Sequence, residues 1–334
     1  MNSLDKVIIK KDKNVKPIWL MRQAGRYLPE FREIRSKNQN FIELCLNTKL
    51  VPEITLQPLK RFDFDAAIIF SDILMIPYGL NQKVEFKKNY GPILGEFNYF
   101  ESSNVEKGLF KRKLKPVYDS MSSLSNQLKG KEKSLIGFVG APWTLLVYML
   151  NRKSPKKASI DNFSLDTSKI DNLLELIIEY IKIHIEEQVK SGATIIQIFD
   201  SWAGLVKDKD VEKYIYEPTK KVVQFTQGLK IPAICFPREI KDYPKYVKTV
   251  SPDVISIDYN VNIRKIAEEI EIPIQGGLDP KILLSNSETL IKETKEILNV
   301  FKNKPYIFNL GHGVLPETEP KMVDKLVKVV RDNQ

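Results

Sequence analysis

Cysteine is scarce in this 334-residue chain, which holds two, Cys45 and Cys235. Two thiols cannot build a disulfide framework, so the small secreted disulfide-stapled class is excluded and a reducing, cytoplasmic setting is expected. Long apolar runs are missing too. No stretch reaches the roughly 18 uninterrupted apolar residues of a membrane helix, and no span is expected. Residues 1–14 lack the apolar centre of a secretory signal. No glycine-rich turn follows an early strand, which argues against a dinucleotide-binding sheet. Neither an internal repeat nor a low-complexity tract nor a linker interrupts the chain, and it reads as one domain over 1–334.

What the chain does have is hydrophobic content, 43%, and basic charge, +10 net. The first is ample for one large core. The second suits an anionic partner, whether nucleic acid, a membrane surface or an acidic small molecule. The clusters Lys10-Lys11, Lys87-Lys88 and Lys156-Lys157 read as solvated loops. None is interleaved with aromatics in the manner of a nucleic-acid platform, so neither nucleic acid nor membrane is the expected partner.

Seven short runs dense in Ile, Val and Phe predict strands over 66–70, 135–139, 194–199, 233–236, 254–257, 273–275 and 306–309. They do not alternate with polar residues, the pattern of strands buried on both faces of a parallel sheet. Amphipathic segments lie between them. Residues 170–190 carry an apolar stripe from Leu173 to Val189 with Gly192 as a stop. Helices are also predicted over 287–301 and from Pro320 through Val330. Residues 83–134 show weak periodicity and read as an excursion between the first two predicted strands. This alternation favours an α/β fold, with an eighth strand unplaced.

The segment Met21-Arg22-Gln23-Ala24-Gly25-Arg26-Tyr27-Leu28-Pro29-Glu30 sets two arginines four residues apart, just after the apolar run Pro17-Ile18-Trp19-Leu20. A site that grips carboxylates uses such forked guanidiniums; a helix start with two solvated arginines is the plain alternative. Other candidates stand just past predicted strand ends, where a barrel collects its active site: Asp72, the run Pro142 to Tyr148, Asp200 and Ser201, Gly276 to Asp279, and Gly311-His312-Gly313. Asp72 could equally be a helix N-cap, Tyr148 a core tyrosine, Ser201 a cap and His312 structural. His184 lies within a helical pattern and reads as structural or interfacial. Asp258 ends another strand without an evident role.

Six segments, in order, resemble the uroporphyrinogen decarboxylase family. They are the Met21 to Glu30 signature, Ile69-Phe70-Ser71-Asp72-Ile73-Leu74, Gly137-Phe138-Val139-Gly140-Ala141-Pro142-Trp143-Thr144-Leu145, Phe199-Asp200-Ser201-Trp202-Ala203-Gly204, Gln275-Gly276-Gly277-Leu278-Asp279-Pro280 and Asn309-Leu310-Gly311-His312-Gly313. The resemblance spans about residues 17–327. It implies a distorted (β/α)8 TIM barrel, a homodimer, and cofactor-free, metal-free decarboxylation of uroporphyrinogen III to coproporphyrinogen III. It further implies that Asp72 accepts hydrogen bonds from pyrrole N–H groups and stabilises a protonated pyrrole. Arg22 and Arg26 then bind substrate carboxylates, with Arg22 the first candidate for proton donor. Gln23 and Ala24 offer backbone donors, Tyr148 reaches into the cleft, and Ser201 and His312 meet carboxylates. The flanking glycines, and Gly276-Gly277, are expected to leave room for ligand; a phosphate cradle is the other reading of Gly276-Gly277.

A zinc-dependent thiol methyltransferase of the same superfamily is the alternative. That chemistry wants His-x-Cys at a strand end, but the comparable stretch reads Ala233-Ile234-Cys235 and no cysteine follows. A nucleic-acid binder, prompted by charge alone, is the third reading.

Overall fold

A computed structural model describes residues 1–87, 90–155 and 167–333; Lys88, Lys156 and Lys157 of the lysine clusters lie outside them. All seven predicted strands form and make one parallel sheet. They are β1 (Ala66–Ile68), β4 (Ser134–Gly140), β5 (Ile195–Asp200), β6 (Ala233–Pro237), β7 (Val254–Ile257), β8 (Ile274–Gly276) and β9 (Tyr306–Ile307), paired in that order. Strand β1 stops short of its predicted end because the Phe70 N–H leaves the ladder for Thr55 Oγ1 at 2.9 Å. The ends of β9 are likewise clipped, since Asn309 turns its carboxamide oxygen onto the Leu310 N–H at 2.8 Å.

The unplaced eighth stave lies before the first predicted strand, at residues 17–20. On one side the Phe308 N–H donates to Pro17 O at 2.8 Å and the Trp19 N–H to Phe308 O at 3.3 Å. On the other, the Asp65 N–H donates to Ile18 O at 2.8 Å. These bonds join the two edges of the curled sheet. The stave escapes recognition because it is so short and irregular: Pro17 has no N–H to give, and the Ile18 N–H goes to the Asp65 carboxylate at 2.6 Å instead of a strand carbonyl.

The interior of the ring is filled by Trp19, Ile68, Ile136, Ile195, Ile234, Val254 and Ile307, all buried. The helix Ser3–Lys10 caps this cluster from one end with Leu4, Val7 and Ile8. A buried polar bridge crosses the ring, with Trp19 Nε1 donating to Gln275 Oε1 at 2.9 Å. Gln275 Nε2 in turn donates to Gln197 Oε1 at 3.1 Å. Each buried amide is thereby paired, as low-dielectric surroundings demand.

Residues of opposite parity on the strands face the helices. The long helix Thr167–Lys190 lays Leu173, Leu174, Ile177, Ile178, Ile181 and Ile185 into this outer core. Gly192 ends the turn after it at φ +105°, and a Cβ there would stand 2.4 Å from Ser125 Oγ. The excursion over 83–134 is more ordered than its composition suggests. It contains an antiparallel hairpin, β2 (Val84–Lys87) with β3 (Gly91–Leu94), and the helix Lys107–Leu128, which buries Phe110, Leu114, Val117, Met121, Leu124 and Leu128. His184 is structural: its Nδ1 meets Tyr118 Oη of that helix at 3.0 Å, and burial pushes its pKa down to about 3.

Asp65 ties the stave to both ends of the chain. Besides the Ile18 N–H, its carboxylate accepts Ser3 Oγ at 2.8 Å and Arg331 Nη2 at 2.8 Å. Asp65→Ala should therefore cost about 3 kcal/mol, because a buried N–H and a guanidinium lose their acceptor together. Urea unfolding measures this, and an unchanged midpoint would contradict the assigned role of Asp65.

Candidate active site

The arginine loop follows directly from the stave. The Met21 N–H donates to Asn309 Oδ1 at 3.0 Å, and Met21 O accepts the Val314 N–H at 2.9 Å. Arg22 is held at φ +61°, a left-handed conformation that costs a non-glycine residue energy and persists only where its surroundings enforce it. Gln23 supplies part of that enforcement: its Oε1 accepts the Leu20 N–H at 3.1 Å and its Nε2 donates to Ala66 O at 2.9 Å. The Gln23 N–H is committed as well, to Leu20 O at 3.0 Å. Gln23 thus braces the loop with both its side chain and its main-chain N–H. Ala24 is half-buried, and Arg26 projects into solvent close enough for its charge to act on Arg22.

The glycines also have protein partners. A Cβ on Gly313 would stand 2.3 Å from Arg22 Cδ, and one on Gly311 would stand 2.2 Å from the Tyr259 N. Gly276 and Gly277 are buried, at φ +91° and +102°, and a Cβ on Gly276 would meet Ile257 O at 2.9 Å. So these positions give room to the Arg22 side chain and to neighbouring strands. Only glycine tolerates such φ values with so little space.

Around the Arg22 side chain stand Asp72, Tyr148 and His312, each close enough for its charge to influence another. Asp72 Oδ1 accepts the Leu74 N–H at 2.8 Å and its carbonyl accepts the Met75 N–H at 3.2 Å. This is an Asx turn ahead of the helix Met75–Gly79, whose cap residue is Leu74 and receives no side-chain capping bond, so Asp72 is not the helix N-cap. Burial nevertheless pushes its pKa up to about 6, against the lowering effect of the Leu74 N–H and Arg22. Arg22 remains exposed as a residue, yet desolvation by the atoms packed around its guanidinium lowers its proton affinity, opposed by Asp72 and Tyr148. Burial, reinforced by Arg22 and Arg238, pushes His312 down to about 4, so its imidazole is neutral near pH 7. Tyr148 is raised, first by burial, and its ring meets Trp202 edge-on at 5.8 Å.

The β5 end is rigid. Thr144 Oγ1 donates to Asp200 Oδ1 at 2.6 Å and accepts the Trp202 N–H at 3.1 Å. Asp200 faces the helix side of the sheet, and its burial raises its pKa to about 7. Ser201 sits half-buried between Asp200 and Trp202. The residue that sequence reading overlooked is Arg238, one position past β6, whose charge reaches both Arg22 and His312. The strand-end rule that singled out Asp72 and His312 would have found it. Asp258 gains a part too, since its Oδ2 accepts the Glu239 N–H at 2.7 Å and so shapes the turn that carries Arg238.

The family model for Uroporphyrinogen decarboxylase (URO-D) matches residues 3–333. The chain belongs to the uroporphyrinogen decarboxylase family. Its relatives include the protein named Uroporphyrinogen decarboxylase of Rickettsia bellii, 42% identical over 330 residues and covering 97% of both chains. The one of Rickettsia felis is 41% identical, over 97% of this chain and 95% of the relative. Among solved structures, a methyltransferase from Methanosarcina mazei matches with TM-score 0.79 at 16% identity, covering 99% of this chain and 97% of that one. A B12-independent methionine synthase from a Shewanella species matches at 0.56 and 11%, over 86% of both. At such identities the likeness establishes the TIM-barrel-like fold alone, and the distorted barrel expected from sequence is the one observed.

Gly313→Ala tests the seat of Arg22. The new methyl group must displace that side chain, so activity should fall at least about tenfold while the protein stays folded, as misplacement of a binding group by an ångström commonly does. A folded variant with full activity would show that Arg22 need not lie across Gly313.

Proposed function

We propose that this chain removes the four acetate carboxyl groups of uroporphyrinogen III, giving coproporphyrinogen III and carbon dioxide. The observation that carries the proposal is a half-buried carboxylate, Asp72, whose proton affinity is raised by desolvation and which lies within reach of the Arg22 charge at the mouth of a barrel, in a member of the uroporphyrinogen decarboxylase family. Asp72 in its ionised form accepts the pyrrole N–H donors of the substrate. Protonation of a pyrrole carbon makes that ring cationic, and the charge develops where the Asp72 carboxylate already waits. The bond between the acetate methylene and its carboxylate then breaks, its electron pair flowing into the cationic ring as carbon dioxide leaves. The exocyclic methylene takes up a proton to become a methyl group, and the ring carbon gives its proton back.

Because the substrate supplies the electron sink, this route requires no cofactor. Arg22, Arg26 and Ser201 hold side-chain carboxylates. Arg22 is the candidate donor of the first proton; although the residue is exposed, the desolvation of its guanidinium lowers its proton affinity, the direction a donor requires. Neutral His312 offers a ring N–H to a carboxylate, and Tyr148 closes the cleft opposite Arg22. Ala24 lends the arginine loop a backbone donor. The chain works as one domain over 1–334, in the cytoplasm, as a homodimer.

A thiol methyltransferase on the same fold is disfavoured by the orientation of Cys235. Its side chain lies on the helix side of β6, hydrogen-bonded to Tyr246 of the helix Tyr243–Val250, and burial pushes the thiol up to about 12. A zinc ligand must be an accessible thiolate.

Anaerobic incubation of the purified, metal-free protein with uroporphyrinogen III, followed by oxidation and chromatography, tests the reaction. Stepwise loss of carboxylates to the four-carboxylate product is expected; unchanged substrate from folded protein would defeat the proposal. Asp72→Asn should lose roughly 10²–10³-fold in turnover. Its stability moves the other way. The folded-state pKa lies above the ordinary 3.8, at about 6, so folding favours the protonated acid. The contribution of Asp72 to stability is present at low pH and is lost as pH rises from about 4 to 6. At pH 7 the asparagine variant should unfold at the same temperature as wild type or higher, and a marked drop would assign Asp72 a structural duty instead. Wild-type kcat/KM should decline as pH falls below about 6, where the carboxylate is lost; a flat profile from pH 5 to 8 would refute the need for ionised Asp72.

A further inference from the structure

The main chain at Arg238 is pinned. Its N–H donates to Asp200 O at 3.1 Å, its carbonyl accepts the Gly204 N–H at 3.0 Å, and the next residue donates its N–H to Asp258 Oδ2 at 2.7 Å. The turns after β5 and β6 are pressed together, since a Cβ on Gly204 would stand 2.5 Å from Glu239 Cβ. The side chain is placed with equal care and used less. It is half-buried, and its Nε is buried with no hydrogen-bond partner. Its Nη2 meets the carboxylate of Glu239 at 2.7 Å, a side chain that is half exposed. Asp258 does not satisfy the guanidinium either: its Oδ2 is taken by the Glu239 N–H, and its Oδ1 has no partner. A buried guanidinium N–H without an acceptor is costly and rare in native structures.

Arg238 also shares a field with the site. Together with burial, it lowers the proton affinity of both Arg22 and His312. Donors from the arginine loop, from the end of β6 and from the segment after β9 therefore face one another. Arg22 and Arg238 have carboxylates near them, Asp72 for the one and Glu239 and Asp258 for the other, but the two guanidiniums still repel each other, and an anion between them relieves this.

We propose that Arg238 is a substrate-binding residue whose Nε edge takes one carboxylate of the tetrapyrrole, on the side of the mouth opposite the arginine loop. This rests on the decarboxylation proposed above. The forked donor edge of a guanidinium matches a carboxylate in a way that an ammonium does not. The pinned backbone fixes where that edge points, so the residue contributes to which way round the macrocycle sits.

Anaerobic initial rates with uroporphyrinogen III, for wild type, Arg238→Gln and Arg238→Lys, test the inference. The main-chain bonds that hold the turn do not involve the side chain, and circular dichroism verifies folding of each variant. In Arg238→Gln, kcat/KM is expected to fall about 10–100-fold, mostly through KM, as removal of a charge-assisted hydrogen bond does. Arg238→Lys keeps the charge without the fork and is expected to lie between the two. A folded Arg238→Gln protein with wild-type kcat/KM overturns the inference, and so does a lysine variant no better than the glutamine one. Turnover by wild type tests the decarboxylation separately. Should wild type be inert, titration of the three proteins with uroporphyrin, followed by fluorescence, takes the place of the rates; weaker binding by Arg238→Gln upholds the inference and equal affinities overturn it.

Discussion

The closure of the barrel by residues 17–20 is the constraint on which the remaining structure depends. This stave has too little regular backbone to be a strand, yet it hydrogen-bonds to Asp65 ahead of β1 and to Phe308 after β9. The Asp65 carboxylate replaces the ladder bond that the Ile18 N–H does not make. Because the stave leads straight into Met21, closing the ring also delivers the arginine loop to the mouth. Gln23, Asn309 and Gly313 then set its conformation. Barrel stability and site geometry are thus coupled through one short, irregular segment.

The site gathers charge at a half-open mouth, where the protein partly desolvates each group. The pKa of Asp72 is pushed up to about 6 because desolvation costs its carboxylate more than Arg22 and the Leu74 N–H return. His312 is held neutral by the same desolvation and by two nearby guanidiniums. An enzyme that stabilises a cation needs a carboxylate placed in advance and insulated from water, and that placement carries a stability penalty when no substrate is bound. The penalty is offset elsewhere, in the outer helical core and in the satisfied polar bridge of Trp19, Gln275 and Gln197.

The direction in which side chains point decides what a barrel strand can offer to chemistry. Alternate residues of a strand face opposite sides of the sheet. On β6, Ile234 and Phe236 face the ring while Cys235 faces Tyr246 and the helices. A thiol at the right place in the sequence can therefore be on the wrong side of the wall. Function follows from the residues at the mouth, and fold alone leaves it open.

Much of the architecture was legible in advance because buried parallel strands and amphipathic helices leave periodic marks. The seven apolar runs, the stripe from Leu173 to Ile185 and the Pro320 helix start all folded as their patterns indicate. Asp72, Tyr148 and His312 were singled out by their place after predicted strands and Arg22 by its partner arginine four residues on, and the structure brings these side chains within reach of one another's charge. Other residues were not legible. Residues 17–20 carry no period, since a single stave held by a side chain and a bridge needs none. The helix Lys107–Leu128 was masked by its lysines and serines, although its apolar positions recur at helical spacing. The packing of Gln23 and the glycines against Ala66 O, Arg22 Cδ and Ile257 O was not legible, because those partners are distant in sequence or lie on a loop whose path no local pattern records. By itself, then, the sequence determined which segments become strands and helices, and which side chains could do chemistry. Only the tertiary structure decided which N–H each carboxylate accepts, which way Cys235 faces and that Arg238 joins Arg22 and His312. Those outcomes depend on the closure of the ring, and long-range packing of that kind is set by geometry between residues, not by the identity of any one of them.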